Sequence, residues 1–386
     1  MGTWSPASNL STTTRAEHTE TRLCDGKVLV VGGVASGGST VLASADIYDP
    51  LTNTWSSAGN MDSPRRNHTA TLLADCKVLV VGGRNGGDVS SAEIYDPSGN
   101  SWSATGSLNA ARSYHGAALL GDGRVLVMGG GFGATLSSAE LYSGGSWSYT
   151  GSLNNARTQP TATRLLNGEV LAVGGFPALA SAERYNPSSG SWSLTGSLNA
   201  SRLYHTATLL ADGRVLVAGG RPTGTNIADS ETYEPGSNNW TARPDMPGIR
   251  SSHTATRLMN GKVLVAGGYV SSSAETSAAL YDPGTNTWSS TGSLAGGRYG
   301  HTATLLLNGK VLAAGGADTG FAVQTAELYD AGPAAAVGGV AEAPEVTALP
   351  SEMASSGHGY GAYVIGAVAA LILAAAGVAG WNRRRA

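Results

Sequence analysis

Apolar and polar residues follow one another along this chain in short blocks that predict β-strands joined by tight turns. Between Arg65 and Trp102, a Thr-Ala-Thr-Leu-Leu segment alternates, and the apolar, β-branched run from Lys77 to Val81 ends at a Gly-Gly pair. A third short segment ends at Tyr-Asp-Pro, and a fourth surrounds Trp102. Strand-length segments bounded by Gly-Gly and Asp-Pro are typical of antiparallel sheets, so this stretch predicts four strands.

Nearly all of the first 330 residues repeat this stretch, and such repetition decides the fold. Each copy has a Gly-Gly pair, then a tyrosine, then a tryptophan, and the pairs begin 45 to 50 residues apart, at Gly32, Gly82, Gly129, Gly174, Gly219, Gly267 and Gly315. The seventh copy ends at Tyr329 without its tryptophan, whereas Trp4 precedes the first copy. Because stacking in a closed ring buries both faces of each sheet, we predict seven sheets, with Trp4 in the outer strand of the last.

The Gly-Gly pair after an apolar strand, the Tyr-Asp-Pro segment and the tryptophan resemble the motif of the kelch-repeat β-propellers. The resemblance covers residues 1–330 in seven copies. It implies an all-β, seven-bladed kelch β-propeller that is closed by the N-terminal strand. It implies little about activity, because kelch propellers mostly bind other molecules and only a few are enzymes.

The repeat pattern stops after Asp330. Residues 331–360 are rich in Ala, Gly, Pro and Ser and predict a flexible stalk. Residues 361–382 predict one transmembrane helix, because about 20 uncharged, mainly apolar residues suffice to cross a bilayer. The basic tail 383–386 favours a cytoplasmic C-terminus at Arg383 to Arg385 and an extracytoplasmic propeller. The first residues are not a signal peptide, so we expect a truncated N-terminus.

Composition and charge narrow the class of partner. Charged residues are scarce at 13% and glycine is abundant at 55 residues, as expected for short strands and tight turns. With a net charge of −3 there is no basic character, so we expect no nucleic-acid partner. The two cysteines, Cys24 and Cys76, have neither a metal-binding spacing nor a disulfide framework, and we interpret them as small residues tolerated in turns.

Several polar and aromatic residues recur with the repeat, which indicates a structural role. A histidine follows an arginine by three residues in six copies, and a ring of metal ligands is the alternative interpretation: His18, His68, His115, His205, His253 and His301. We predict that the arginine pairs with the acid before the tyrosine and ties blades together. Those acids are Asp46, Glu93, Glu140, Glu183, Glu231 and Glu327, with Ala279 in the sixth copy. The repeated tyrosines and tryptophans predict packing between blades.

The loops after the Gly-Gly pairs differ most between copies, and antiparallel order places them all on one face of the ring. All three phenylalanines of the chain lie in these loops. Aromatic and arginine side chains dominate binding energetics, so we predict a binding surface on this face. Its predicted residues are Arg84, Phe132, Phe176, Arg221, Tyr269 and Phe321. The alternative is that each loop covers its own blade with an aromatic ring.

We therefore expect a membrane-anchored, non-catalytic module that binds protein or carbohydrate on the loop face, without catalytic residues, metal or cofactor. The alternative is a kelch-type carbohydrate-active enzyme, either a galactose-oxidase-like oxidase or a sugar epimerase. The resemblance to galactose oxidase implies a tyrosine cross-linked to cysteine, a second tyrosine and two histidines on one face. Here the histidines lie in the repeat register, and neither Cys24 nor Cys76 lies in a variable loop.

Overall fold

The computed structural model describes residues 2–11 and 13–332, in which every regular element is a strand. Strand β1 is Thr3–Ala7. Blade 1 holds β2 (Thr19–Arg22), β3 (Val28–Val31), β4 (Ser44–Asp49) and β5 (Thr54–Asn60). Blade 2 holds β6 (Thr69–Leu72), β7 (Val78–Val81), the loop hairpin β8 (Arg84–Asn85) and β9 (Gly87–Asp88), β10 (Ala92–Asp96) and β11 (Ser101–Thr105). Blade 3 holds β12 (Gly116–Leu119), β13 (Val125–Met128), β14 (Ala139–Ser143) and β15 (Ser146–Thr150).

The second half of the ring repeats this order. Blade 4 holds β16 (Thr161–Arg164), β17 (Val170–Val173), β18 (Ala182–Asn186) and β19 (Ser191–Leu194). Blade 5 holds β20 (Thr206–Leu209), β21 (Val215–Ala218), β22 (Ser230–Glu234) and β23 (Asn239–Arg243). Blade 6 holds β24 (Thr254–Arg257), β25 (Val263–Ala266), the hairpin β26 (Tyr269–Val270) and β27 (Ser273–Ala274), β28 (Ala278–Asp282) and β29 (Thr287–Ser290). Blade 7 holds β30 (Thr302–Leu305), β31 (Val311–Ala314) and β32 (Ala326–Asp330).

The seven antiparallel sheets close into a ring. The first strand of each blade lies innermost and packs beside the first strand of the next blade, and β30 of blade 7 packs beside β2 of blade 1. The second strand of every blade is fully buried, as its apolar sequence predicts. The prediction of an all-β, seven-bladed propeller is therefore confirmed.

The N-terminal strand completes blade 7, as the displaced tryptophan predicts. Strand β1 pairs antiparallel with β32, and Trp4 lies directly opposite Tyr329. The two rings are 5.2 Å apart, and the Trp4 indole donates a 2.9 Å hydrogen bond to the Gly292 carbonyl. The other six blades have the same cross-strand Tyr–Trp pair, with ring centroids 5.0 to 5.1 Å apart. The aromatic repeat thus packs the two outer strands of each blade together.

The predicted arginine–acid pairs form and are buried. In blade 2, Arg65 lies 2.7 Å from Glu93, and the side chains are 0% and 3% exposed. Arg65 also donates to the carbonyls of Gly82 and Ser91, all in the same blade. The prediction that the pairs tie two blades together is wrong, because each ion pair joins an arginine and an acid of the same blade. The other pairs are Arg15–Asp46, Arg112–Glu140, Arg157–Glu183, Arg202–Glu231 and Arg298–Glu327.

The arginine backbone, by contrast, joins neighbouring blades and explains the Gly-Gly pair. Gly33 of blade 1 donates its N–H to the Arg65 carbonyl of blade 2. At Gly32, φ is +62°, and a Cβ atom would lie 2.4 Å from that carbonyl and 2.9 Å from the His68 ring. Only glycine accommodates both the left-handed conformation and the close approach. The pair therefore sets the spacing between adjacent blades.

The two cysteines form a disulfide between blades 1 and 2, so the expectation of no disulfide framework is wrong. Their Cα atoms are 5.7 Å apart across 52 residues of sequence. Both cysteines lie in the turn that joins the first and second strands of a blade. In other pairs of blades, a long apolar side chain of this turn packs over a glycine in the same turn of the next blade. Leu307 of blade 7, for example, lies so close to Gly26 of blade 1 that a Cβ atom there would be 2.6 Å from it. Cys24 holds the Leu307 position and Cys76 the Gly26 position, with φ of +66° at Cys76. Closing a loop of this length stabilises a chain by about 4 kcal/mol in the chain-entropy treatment.

Glu20 distinguishes the seam between blades 7 and 1 from the other contacts between blades. The equivalent residue elsewhere is alanine: Ala70, Ala117, Ala162, Ala207, Ala255 and Ala303. Both carboxylate oxygens of Glu20 are buried, and they face the hydroxyls of Thr302 and Thr304 on β30. Burial raises the pKa of Glu20 to about 7, and the two hydroxyls oppose this shift.

We expect the propeller to lose stability as Glu20 ionises. Because the folded pKa lies above the ordinary 4.5, the contribution of the neutral acid is complete below pH 4.5 and is lost as the pH rises through 7. At about 1.4 kcal/mol per pKa unit, the loss amounts to up to about 3 kcal/mol. Thermal unfolding of the wild-type and Glu20→Ala chains across this range isolates the effect. Relative to the wild type, the Tm of the Glu20→Ala chain should rise as the pH increases above 7. A Tm difference between the two chains that does not change with pH would contradict this role of Glu20.

The described residues end at 332, so they include only the first two residues of the predicted stalk at 331–360. The predicted transmembrane helix at 361–382 and the tail at 383–386 lie outside them. Among the described residues, no helix has the length and apolar character needed to span a bilayer.

Candidate functional site

Seven equivalent residues encircle the ring axis on the loop face, each two residues before an inner strand. They are Glu17, Asn67, Tyr114, Gln159, Tyr204, Ser252 and Gly300, and we call them the axial ring. Their backbones are linked in series: Asn67 donates its N–H to the carbonyl of Glu17, Tyr114 to that of Asn67, and Gln159 to that of Tyr114. The same link joins Ser252 to Tyr204, Gly300 to Ser252 and Glu17 to Gly300. Hydrogen bonds between blades therefore fix the backbone around the axis.

The axial ring has a backbone conformation that favours glycine, yet six of its members carry side chains. All seven φ angles lie between 51° and 57°. A residue other than glycine in this left-handed region is strained by about 1–2 kcal/mol, and asparagine tolerates it best. Gly300 fits the fold without strain, so the backbone does not require glutamate, tyrosine or glutamine at the equivalent positions. Strained positions cluster at binding and catalytic sites.

Charged and amide groups of the axial ring come together on the side of blades 1 to 3. One oxygen of Glu17 accepts from the Arg66 guanidinium at 3.1 Å and from the Asn67 amide at 2.9 Å. Burial, with a smaller contribution from the charge of Glu17, raises the pKa of Tyr114 to about 12, and Arg66 and Arg84 oppose this shift. The Tyr114 phenol therefore stays neutral and can donate or accept a hydrogen bond.

Two predicted site residues, Arg84 and Phe132, form one wall beside the axial ring. The Arg84 guanidinium lies over the Phe132 ring, with Cζ 3.4 Å from the centroid. Asp88 on the same hairpin as Arg84 accepts from the Ser113 hydroxyl and from the Phe132 N–H, at 2.5 and 2.8 Å. The loops of blades 2 and 3 are thus locked together: the Phe132 ring contacts Arg84 of the neighbouring blade, and it remains 55% exposed.

Two more predicted residues approach the axial ring from the opposite side. The Arg221 guanidinium lies 5.7 Å from the centroid of Tyr204, a member of the ring. Tyr269 meets Tyr299 edge to face at 5.0 Å. The structure thus places Arg221 and Tyr269 beside aromatic neighbours that sequence reasoning did not select.

Phe176 and Phe321 stand apart from these groups. Their side chains are 54% and 59% exposed, in the loops of blades 4 and 7. Phe176 pairs its backbone with Thr158, and Phe321 offers its carbonyl to the Asp318 N–H. No described contact joins either ring to the axial ring, so their role in binding remains a prediction.

The repeat histidines join blades. Each ring nitrogen Nε2 lies 2.8 to 3.1 Å from a threonine hydroxyl on the inner strand of the preceding blade, as with His68 and Thr19. Burial, reinforced by the nearby arginine, lowers the pKa of His18, His115 and His205 to about 3. The rings are therefore neutral at physiological pH, and their repeated position reflects contact between blades.

The face opposite the loops contains a pocket that is lined by the turns of the repeat. A pocket of about 270 Å³ lies between the turns of blades 4 and 5, lined by Leu165, Leu166, Asn167, Asp212, Gly213, Glu234, Pro235 and Gly236. Asp212 in its wall is paired with Arg214 at 2.6 Å. The wall is built from the repeat turns themselves, and it lacks the side-chain variety of the axial ring.

Comparison with known proteins agrees with this architecture. The kelch motif matches residues 20–62, 65–109 and 250–295. The three matches and the seven-bladed ring support the kelch-repeat propeller family. A search of curated proteins gave no significant match.

A solved structure with the same fold is a novel fungal alcohol oxidase of the AA5 family, in complex with copper. It is 17% identical, with a TM-score of 0.71 over 85% of this chain and 76% of that chain. The expectation that the present chain is not an enzyme is contradicted by this neighbour, because an oxidase has the same propeller. At this identity the likeness shows the fold alone, and it assigns no reaction here.

The described residues do not fit a copper centre of the galactose-oxidase kind. Cys24 and Cys76, the only cysteines of the chain, are joined to each other, so neither is available for a bond to tyrosine. The six repeat histidines engage threonine through Nε2 inside the ring. Within residues 2–11 and 13–332, no three His, Cys, Asp or Glu side chains are grouped to hold a metal.

Proposed function

We propose that this propeller binds carbohydrate at the axial ring. The observation that carries the proposal is the presence of Glu17, Tyr114 and Gln159 at positions whose backbone favours glycine. Tyrosine rings present flat apolar faces to the C–H groups of a sugar, and carboxylate and amide groups bond its hydroxyls. Gln159 supports this, because its buried Oε1 has no hydrogen-bond partner among the described residues and suits a sugar hydroxyl.

A glycan array followed by calorimetry on the full chain tests this proposal, with Gln159→Gly as the informative variant. Glycine relieves the left-handed strain, so we expect stability to rise by about 1 kcal/mol while affinity falls at least tenfold. Ser252→Gly, which removes only a hydroxymethyl group from the same ring, should gain similar stability and lose less affinity. Binding of a protein with no response to any glycan, or full affinity in Gln159→Gly, would contradict the proposal.

A carbohydrate-active enzyme is a second candidate, favoured by the proximity of the Glu17 carboxylate and the Tyr114 phenol in the ring. The two groups are a proton acceptor and a proton donor at one site, which is the minimum for acid–base chemistry. Incubating the glycan found on the array with the full chain and following it by NMR separates the two candidates. A changed anomer ratio or a new product favours the enzyme, and an unchanged spectrum favours binding alone.

We also propose that residues 361–382 anchor the chain in a membrane, with Arg383 to Arg385 in the cytoplasm and the propeller outside. The uncharged span and its basic flank support this orientation. The disulfide between Cys24 and Cys76 is further support, because such bonds persist in oxidising compartments. Protease applied to intact cells should release a disulfide-bonded propeller. A propeller that is cleaved only after lysis, with reduced thiols, would contradict the orientation.

A further inference from the structure

Arg84 is a cation whose guanidinium is held in place by an aromatic ring. Its guanidinium face rests on Phe132, and Phe132 is fixed in turn by Asp88. Among the described residues Arg84 has no ion pair, and its Nε is buried without a hydrogen-bond partner. The neighbouring Arg66, whose backbone pairs with that of Arg84, is instead neutralised by Glu17 at 3.1 Å. The blade 1 to 3 side of the axial ring therefore has one guanidinium without an ion pair among the described residues, with Asp88 opposite it in the hairpin.

Stacking on Phe132 covers one face of the Arg84 guanidinium and leaves its N–H edge to bind another group. A cation–π contact uses the flat face of a guanidinium, whereas its N–H groups lie in the plane and point along the edge. A carboxylate matches that edge with two parallel N–H···O bonds. Because Phe132 and the hairpin at Asp88 fix the plane of the guanidinium, little side-chain entropy remains to be lost when an anion binds.

One hydroxyl-binding group lies near this cation, and a second occupies the next position of the axial ring. Tyr114 lies within electrostatic reach of Arg84, and the Gln159 side chain follows it around the axial ring with a free buried Oε1. An anionic ligand that carries ring hydroxyls near its carboxylate offers a partner to each of these three groups. A uronic acid has this combination, since its carboxylate at C5 lies on the same ring as the hydroxyls at C2 and C3.

We propose that the axial ring takes an acidic saccharide, with the uronate carboxylate on the edge of Arg84. The inference rests on the proposed carbohydrate function and specifies the charge of the ligand. Phe132 and Asp88 act as positioning residues that hold the guanidinium plane. The Tyr114 phenol and the Gln159 amide bond the adjacent hydroxyls.

Oligogalacturonate and its methyl ester test this charge, because they share one sugar backbone and differ in the carboxylates alone. Titrated into the full chain at low salt, the acid should bind at least tenfold more tightly than the ester. Arg84→Gln should reduce that ratio to near one, and Arg84→Lys should keep part of it, because it retains the charge without the two-pronged edge. Arg124→Gln, which alters a turn on the opposite face paired with Asp122, should leave the ratio unchanged.

The outcomes separate the two proposals. Equal binding of acid and ester, or an acid preference that survives Arg84→Gln, would overturn the acidic ligand and leave carbohydrate binding standing. Binding of neutral glycans alone would do the same. If no saccharide binds and an acidic peptide does, both proposals fail. The Tm of each variant, measured alongside, shows whether a lost preference reflects unfolding, and Arg84→Lys then decides.

Discussion

Replacing Glu93 with alanine should lower the free energy of unfolding by about 3–5 kcal/mol, the cost of breaking a buried ion pair at one partner. The Glu93 carboxylate accepts from Arg65 at 2.7 Å and from the backbone N–H groups of Asp62 and Ser63 at 2.7 and 3.2 Å. Its removal leaves a buried guanidinium and two N–H groups without this acceptor. Denaturant unfolding of the full chain, monitored by tryptophan fluorescence, measures the loss.

Blade 6 provides the matched control for this experiment. Ala279 replaces the acid there, and Arg250 keeps a bond to the Ser277 hydroxyl like that of Arg65 to Ser91, while Ser277 donates to Glu275 at 3.0 Å. Pro247 stands where the other blades supply an N–H to the acid, and proline has none to donate. We therefore expect Ala279→Glu to change stability by much less than Glu93→Ala. Equal and negligible effects at both sites would show that the buried pairs do not stabilise the blades.

Trp4→Ala should destabilise the chain by about 3 kcal/mol and, in addition, open the ring. A buried tryptophan contributes about 3–5 kcal/mol, and Trp4, which is partly buried, falls toward the low end. Strand β1 is held in blade 7 by its pairing with β32, by the contact of Trp4 with Tyr329 and by the indole bond to Gly292. Loss of the ring contact should therefore free the strand.

Trp102→Ala is the control, because Trp102 makes the same cross-strand contact with Tyr95 at 5.0 Å within a continuous blade. Both variants should lose similar global stability. Only Trp4→Ala should give fast hydrogen exchange confined to β1 and β32 well below the unfolding temperature. Indistinguishable exchange patterns in the two variants would contradict closure by the N-terminal strand.

The fold followed from the sequence because each element of the repeat carries its own physical signal. The Gly-Gly pair marks a close approach of backbones, and the missing tryptophan after Tyr329 together with the extra Trp4 predicts which strand closes the ring. In the six blades that have it, the acid before the tyrosine was also assigned correctly to its arginine. The structural effect of the pair was predicted wrongly, because the sequence does not show that the arginine and the acid lie in the same blade.

The disulfide escaped prediction for a geometric reason. Cys24 and Cys76 occupy different positions of the same turn, one where Leu307 lies in blade 7 and one where Gly26 lies in blade 1. These positions come together only when turns of adjacent blades stack with an offset. The spacing of 52 residues does not reveal that offset.

The axial ring was missed although its signal is present in the sequence. Two residues between the repeated arginine and histidine change from copy to copy, and one of them is the ring position, as in Arg-Ser-Tyr-His at Arg112. Attention to the longer loops selected Arg84 and Phe132 but did not predict that they stack on one another. It missed Tyr114 and Gln159, because residues 45 apart in sequence meet only when adjacent blades pack together.

A crystal structure of the full chain with the oligosaccharide that binds most tightly tests most directly that the axial ring is the binding site. The account predicts a sugar on the loop face over the ring axis, within hydrogen-bond distance of Tyr114 and Gln159, with any carboxylate on Arg84. A sugar on the opposite face, in the pocket between Leu166 and Glu234, or on the outer strands would contradict it.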